Sequence, residues 1–293
     1  MADWDGRGLP PVAAERVRRA AAGGAWTSLL SAPAAAGLTD AGFDPVGEVM
    51  GSIVERIGWQ GYRGCGWSPF GGAYGGYGGT APTITSSDRA AFSGFAPYVA
   101  ALEHGYGTAM SRLVQEAAAI GADGVVGIRL VQDRMEGGAR EFTALGTGVR
   151  ARSGTRPSRV FTTALPATDV AKLVRAGWMP TDLVYGISVA IRHVDWSTRQ
   201  QMSWGAGNVE VTGHTELVTR VREDARHRFT AHVRGTGADG AIVDDMALAT
   251  WEVEPAENHR DLVAESTVFG TAVARFHSGR AAPSRTLTYL PLR

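Results

Sequence analysis

The feature that most constrains this chain is that it repeats itself. Placing Trp26 on Phe161 without gaps, an offset of 135, superposes Thr27 on Thr162, Leu30 on Leu165, Leu38 on Leu173, Gly42 on Gly177, Pro45 on Pro180, Val49 on Val184 and Gly51 on Gly186. Matched glycines and prolines mean matched backbone turns, because these two residues set φ more strongly than any other. Further along, GADGVV at Gly121–Val126 matches GADGAI at Gly237–Ile242 at an offset of 116, so the second copy is 19 residues shorter between the two blocks. Near the end, EFTALGTGV from Glu141 matches ESTVFGTAV from Glu265 at an offset of 124, which places eight extra residues in the second copy. The division that follows is an N-terminal extension at 1–25, a first domain at 26–151, a linker at 152–158, a second domain at 159–277 and a C-terminal extension at 278–293. Each unit is then of ordinary single-domain size, roughly 115 to 125 residues.

Composition narrows the class. With 44% hydrophobic and 20% charged residues the chain has the apolar material for packed cores, and a disordered chain is ruled out. Its 29 basic residues balance 29 acidic ones, which removes the charge footprint of phosphate-backbone binding and argues against a nucleic-acid partner. Lys172 is the single lysine, so no P-loop lysine exists. Cys65 is the single cysteine and cannot close an intrachain disulfide, which fits a reducing, cytoplasmic setting. The uncharged run Ala20–Thr39 after Arg16, Arg18 and Arg19 imitates a signal peptide but lacks a continuous apolar centre, and no stretch reaches the length of a membrane span.

Both copies read as the same order of elements. A short strand (about 26–31; 160–165) precedes a brief helix, with Val170, Leu173 and Val174 at helical spacing and Gly42 or Gly177 at its end. A long strand follows (46–57; 183–191), in which Gly51 and Gly186 predict a bulge or another backbone passing close by. The main helix carries Leu102, Ala109, Leu113, Ala117 and Ile120 on one face, and its counterpart Val218, Ala225, Phe229 and Val233, with Gly121 and Gly237 at C′. Two strands close each unit (125–132 and 142–151; 241–252 and 263–276). The fold class is α+β, a long helix packed on a small, mostly antiparallel sheet, twice over. Val12–Ala22 is helix-compatible, as a cap on the first domain or a contact to a neighbour, and Arg285–Leu292 reads as a terminal strand.

The run GYGTAMSRLVQEAAAIGADGVVGIRL from Gly105, the closing EFTALGTGV and the earlier GFDPVGEVMGSIVE resemble the YbjQ-like family, which carries a heavy-metal-binding label. The resemblance covers both copies, more closely the first. It implies two tandem dodecin-like units that assemble as a pentamer, and it brings no ligand motif that transfers to these residues.

Soft or borderline metals require clustered thiolates and imidazoles. Cys65, His104 and His214 are the metal-ligand candidates, yet no close His or Cys pair recurs in both copies, and His104 aligns with Arg220. His227 and His232 are five apart and point about 140° from each other on a helix. A transition-metal site built at subunit interfaces, with one ligand from each protomer, is therefore the alternative reading. Catalysis finds no motif: there is no Gly-x-Ser-x-Gly, no His-Glu-x-x-His and no strand-bound Gly-x-Gly-x-x-Gly, while the equivalent Glu141 and Glu265 read as solvated or arginine-paired.

An insertion at 58–97 sets the first copy apart. Between Gly58 and Gly79 ten glycines interleave with Trp59, Tyr62, Trp67, Phe70, Tyr74 and Tyr77, a composition suited to docking rings onto a neighbouring surface, within the assembly or on a protein partner. The sequence thus predicts a non-enzymatic protein that forms a homo-oligomeric ring, a pentamer of ten domains, as a scaffold or binding platform.

Overall fold

Two glycines decide where the long helices lie. A Cβ on Gly51 would sit 2.0 Å from the Ala109 carbonyl oxygen and 2.5 Å from the Leu113 nitrogen; one on Gly186 would sit 2.1 Å from Ala225 O and 2.3 Å from Phe229 N. Helix backbone presses on strand backbone at equivalent places in the two halves, the close approach that the sequence offered as one explanation of these glycines. The register shifts fall elsewhere, between Pro45 and Gly47 and between Pro180 and Asp182.

The structure is a computed structural model that describes residues 4, 8–22, 27–57, 92–154, 156–256 and 259–276. Its elements are α1 (Pro11–Ala21), α2 (Ala32–Asp40), β1 (Phe43–Arg56), β2 (Phe92–Gly94), α3 (Ala96–Ala119), β3 (Gly124–Arg134), β4 (Ala139–Ala151), β5 (Phe161–Thr162), α4 (Ala167–Arg175), β6 (Trp178–His193), α5 (Trp196–Gln201), α6 (Thr212–Thr236), β7 (Gly240–Ala256) and β8 (His259–Arg275). They form two α+β units, one with sheet order β1-β4-β3-β5 and the other β2-β6-β8-β7. In each, the long strand pairs antiparallel with the last strand of the unit, and α3 or α6 covers that pair.

The helices form where the apolar spacing puts them. Leu102, Ala109, Leu113 and Ala117 of α3 are buried against β1 and β4, with Gly105 leaving room for the ring of Phe142. In α6 the buried stripe is Gly213, Leu217, Val221, Ala225 and Phe229, so the expected face is shifted: Val218 and Val233 lie on its flank, half-buried. A strict four-residue spacing of Leu, Val, Ala and Phe outweighs the neighbouring valine. Gly237 caps α6 at φ 73°, and Gly121 follows α3 at φ 74°, where Arg150 donates to the carbonyls of Ile120 and Gly121.

Three differences from the sequence reading matter. The tail of the 58–97 insertion is regular structure, since residues 92–94 form β2 and α3 begins at Ala96. The strand expected at the start of each half is two residues long in the second, β5, and residues 27–30 form none. Most consequentially, β5 pairs parallel with β3, and β2 pairs antiparallel with β6, so each half of the chain supplies an edge strand to the sheet of the other half.

One core runs through this exchange. Val49, Leu102, Leu113, Phe142, Ile187 and Val263 belong to a single cluster that joins α3 to both sheets. Tyr106 packs edge-on to Phe142 on one side, at 4.9 Å between ring centroids, and to Phe269 on the other, at 5.3 Å. The N-terminal helix lies on α3, where the Arg16 guanidinium meets Glu116, and so caps the first unit.

Candidate assembly site

The two exchanged strands form the best-defined joints in the molecule, and each is built from short-range chemistry. At the first, Phe161 N donates to Asp123 O at 3.1 Å, Thr163 N to Val125 O at 3.0 Å, Gly127 N to Leu165 O at 3.0 Å and Ile128 N to Thr163 O at 3.0 Å. The φ of 63° at Gly127 lets that backbone turn its N–H outward to Leu165. Hydroxyls hold the donor segment on its own sheet: Ala164 N donates to Thr271 Oγ1 at 3.3 Å, and Thr163 Oγ1, which accepts from Leu165 N at 3.0 Å, lies 2.9 Å from Thr271 Oγ1. Val125, Val126 and Ile128 are buried beneath the segment.

The second joint lies at the other end of the exchange. Phe92, Ser93 and Gly94 face Arg192, Ile191 and Ala190, and Phe95 N donates to Val189 O at 2.9 Å. Phe95 and Tyr98 stack at 5.4 Å, the Arg140 guanidinium lies over the Tyr98 ring, and Arg140 also pairs with Glu265 of β8 at 3.5 Å, both side chains buried. Burial pushes the Glu265 carboxyl above the usual carboxylate range, with Arg140 pulling the other way. A cavity of about 570 Å³ sits between the units, walled by Leu29, Ile128 and Leu130 from one and Ala164, Asp245 and Phe269 from the other.

Of the metal-ligand candidates singled out from sequence, His104 and His214 lie within the described residues. His104 Nδ1 lies 2.5 Å from Glu55 Oε1 on an exposed face, whereas His214 is in the first turn of α6, half-buried. Burial holds His214 below the ordinary histidine range; Glu252 opposes this and Arg192 adds to it. Other histidines are structural: His232 Nδ1 lies 3.0 Å from the Tyr185 carbonyl oxygen, and His193 pairs with buried Asp261 at 2.9 Å. Among the described residues no group of three or more His, Cys, Asp or Glu is placed to hold a metal ion. Cys65, Trp59, Tyr62, Trp67, Phe70, Tyr74 and Tyr77, together with the strand expected at 285–292, lie outside the described residues. No described helix is long and apolar enough to cross a membrane. The joint-forming hydroxyls escaped the sequence reading, although Thr147 and Thr271 occupy one aligned position in the LGTG and FGTA strings.

Residues 83–152, which contain α3, β3, β4 and the β2 strand, match the family described as "Putative heavy-metal-binding", YbjQ-like. The encapsulin nanocompartment protein Rv1762c of Mycobacterium tuberculosis is 31% identical over 283 residues, covering 92% of this chain and 93% of its own. The chain belongs to the family of this mycobacterial protein, built on a YbjQ-like unit. No solved structure matches it. Within the YbjQ-like match lie the acceptor strand of the first joint, the donor strand of the second, and Arg140. Strands β5 and β6, outside the match, supply the complementary halves.

Proposed function

We propose that this YbjQ-like chain is a self-assembling structural protein whose work is to form a closed homo-oligomer, a pentamer of ten α+β units, serving as a scaffold or binding platform of a protein nanocompartment. The observation that carries the reading is the edge-strand exchange: neither sheet is complete without backbone from the other unit. A module built in this way uses its edges for partners rather than shielding them from partners. Two such modules in one chain, bounded near 26–151 and 159–277, supply a head-to-tail pair from which rings are made. The name of the mycobacterial relative supports the nanocompartment setting. The pentamer comes from the resemblance to YbjQ-like proteins.

Native mass spectrometry of the purified chain tests this. The expected result is one closed species of five 30.9 kDa subunits. A monomer at micromolar concentration overturns the reading.

A further inference from the structure

Each joint inside the chain has, one repeat away, a counterpart donor and acceptor that no described strand pairs with. The donor of the first joint is the segment Phe161–Leu165, and 135 residues earlier the segment ending in Ser28, Leu29 and Leu30 is held in the same way. Leu30 N donates to Ser28 Oγ at 3.1 Å as Leu165 N does to Thr163 Oγ1, and Leu29 N donates to Thr147 Oγ1 at 3.2 Å as Ala164 N does to Thr271 Oγ1. The acceptor of the joint is the β3 edge, and 116 residues later stands β7, the last strand of its sheet. Here Asp239 repeats Asp123: its N–H donates to Val273 O at 3.1 Å, and its carboxylate accepts from Arg275 N at 2.8 Å, as the Asp123 carboxylate accepts from Ala151 N.

Burial separates the used from the unused halves. Val125, Val126 and Ile128 are at most 3% exposed, whereas their counterparts on β7 are half-buried (Ala241, Ile242) or exposed (Asp244), the neighbouring Val243 and Met246 are both 49% exposed, and Leu29 is 43% exposed. The second joint shows the same division. Its acceptor, Val189 of β6, is buried, while the position 135 residues earlier, Val54 on the open edge of β1, is 54% exposed. Its donor precedes α3, and the corresponding residue ahead of α6, Val209, is 50% exposed. The unused donor 27–30 and unused acceptor β1 belong to the first unit; the unused acceptor β7 and unused donor around Val209 belong to the second.

We infer that the occupant of these edges is a second copy of this chain, its first unit docked on the second unit of its neighbour. Residues 27–30 add in parallel to β7 at Ala241–Asp244, and residues 208–210 add to the β1 edge at Val54–Ile57. Both joints close in one docking event, with backbone hydrogen bonds setting affinity as in any strand addition and the valines and methionine covering one another. The interface is heterologous, so its repetition leads to a ring or a filament and never to an isolated two-fold dimer. This rests on the self-assembly reading and specifies its contact.

Two experiments test it together. In native mass spectrometry Val243→Glu/Met246→Glu should convert the wild-type oligomer to monomer, while Val12→Glu, on the exposed face of α1, should leave it intact. In a Cys65→Ser background, Thr27→Cys/Ala241→Cys should give a ladder of disulfide-linked chains under oxidation, because Thr162 faces Val125 at the joint already formed. A ladder with loss of the oligomer in the β7 variant supports the interface, and the cross-link alone decides if that variant misfolds. A wild-type oligomer with no ladder overturns the interface and leaves self-assembly standing; a monomeric wild type overturns both.

Discussion

Arg16 of the N-terminal helix closes a two-point ion pair on Glu116 of α3, Nε to Oε1 at 2.9 Å and Nη2 to Oε2 at 2.8 Å. The carboxylate is 1% exposed and also accepts the Met50 N–H at 3.2 Å, so one buried charge ties α1, α3 and β1 together. In the second unit the aligned residue is His232, whose Nδ1 lies 3.2 Å from the N of the equivalent strand position, Tyr185. Removing one partner of a buried pair leaves an uncompensated charge. Arg16→Met should cost about 2–3 kcal/mol, at or below the low end of such losses because the guanidinium is partly open to water. The urea midpoint reads this; an unchanged midpoint would show that α1 is held by other contacts.

The two crossing glycines separate steric from conformational effects. Gly51→Ala and Gly186→Ala place a methyl inside backbone contact distance of a helix that cannot retreat without opening the core. Each should cost about 3 kcal/mol or more, the upper range for overpacking. Gly235→Ala, in the last turn of α6 with nothing within 4 Å of the added carbon, should stabilise by about 0.5–1 kcal/mol. Thermal denaturation of the three variants gives the order, and equal losses at Gly186 and Gly235 would refute it.

Arg140→Leu should expose the cost of burying Glu265. Burial already raises the Glu265 carboxyl, against the pull of Arg140, and without that cation it rises further. A raised acid binds a proton more readily folded than unfolded, so the contribution of this group to stability falls as pH rises through the raised value and recovers as pH drops. The variant should lose about 3 kcal/mol at pH 7, with the deficit narrowing toward pH 5. Denaturation curves at the two pH values check this, and a deficit independent of pH would contradict it.

Asp195 caps α5 and shows the opposite sign. Its carboxylate accepts the Thr198 N–H at 2.7 Å, the main cause of a pKa lowered from 3.8 to about 2. A depressed acid contributes stability above its unfolded value, and that contribution is lost as pH falls through the folded one. Asp195→Ala should therefore cost about 1 kcal/mol at neutral pH. The difference from wild type should shrink as pH falls from 3.8 to about 2. Hydrogen exchange of the α5 amides measures it; a difference that grows on acidification would rule the cap out.

Much of this architecture could be read from the letters. Repeated Gly, Pro and GADG blocks fixed two α+β units, because glycine and proline act on the backbone locally and keep their meaning in any context. The apolar stripe of α3 was equally legible, whereas that of α6 was displaced by one residue: Leu217 and Val218 are adjacent apolar residues, and only the partner surface selects between them. Nothing in the segment FTTAL states that Phe161 and Thr162 will leave their own unit to pair with Gly124 and Val125, and nothing in FSG states that Phe92 will face Arg192. Backbone N–H and C=O groups are the same at every residue, so which strand edge they complete is decided by where the chain's two halves come to lie. Sequence alone determined the module and its duplication; the tertiary structure decided that the modules interlock through shared sheet edges.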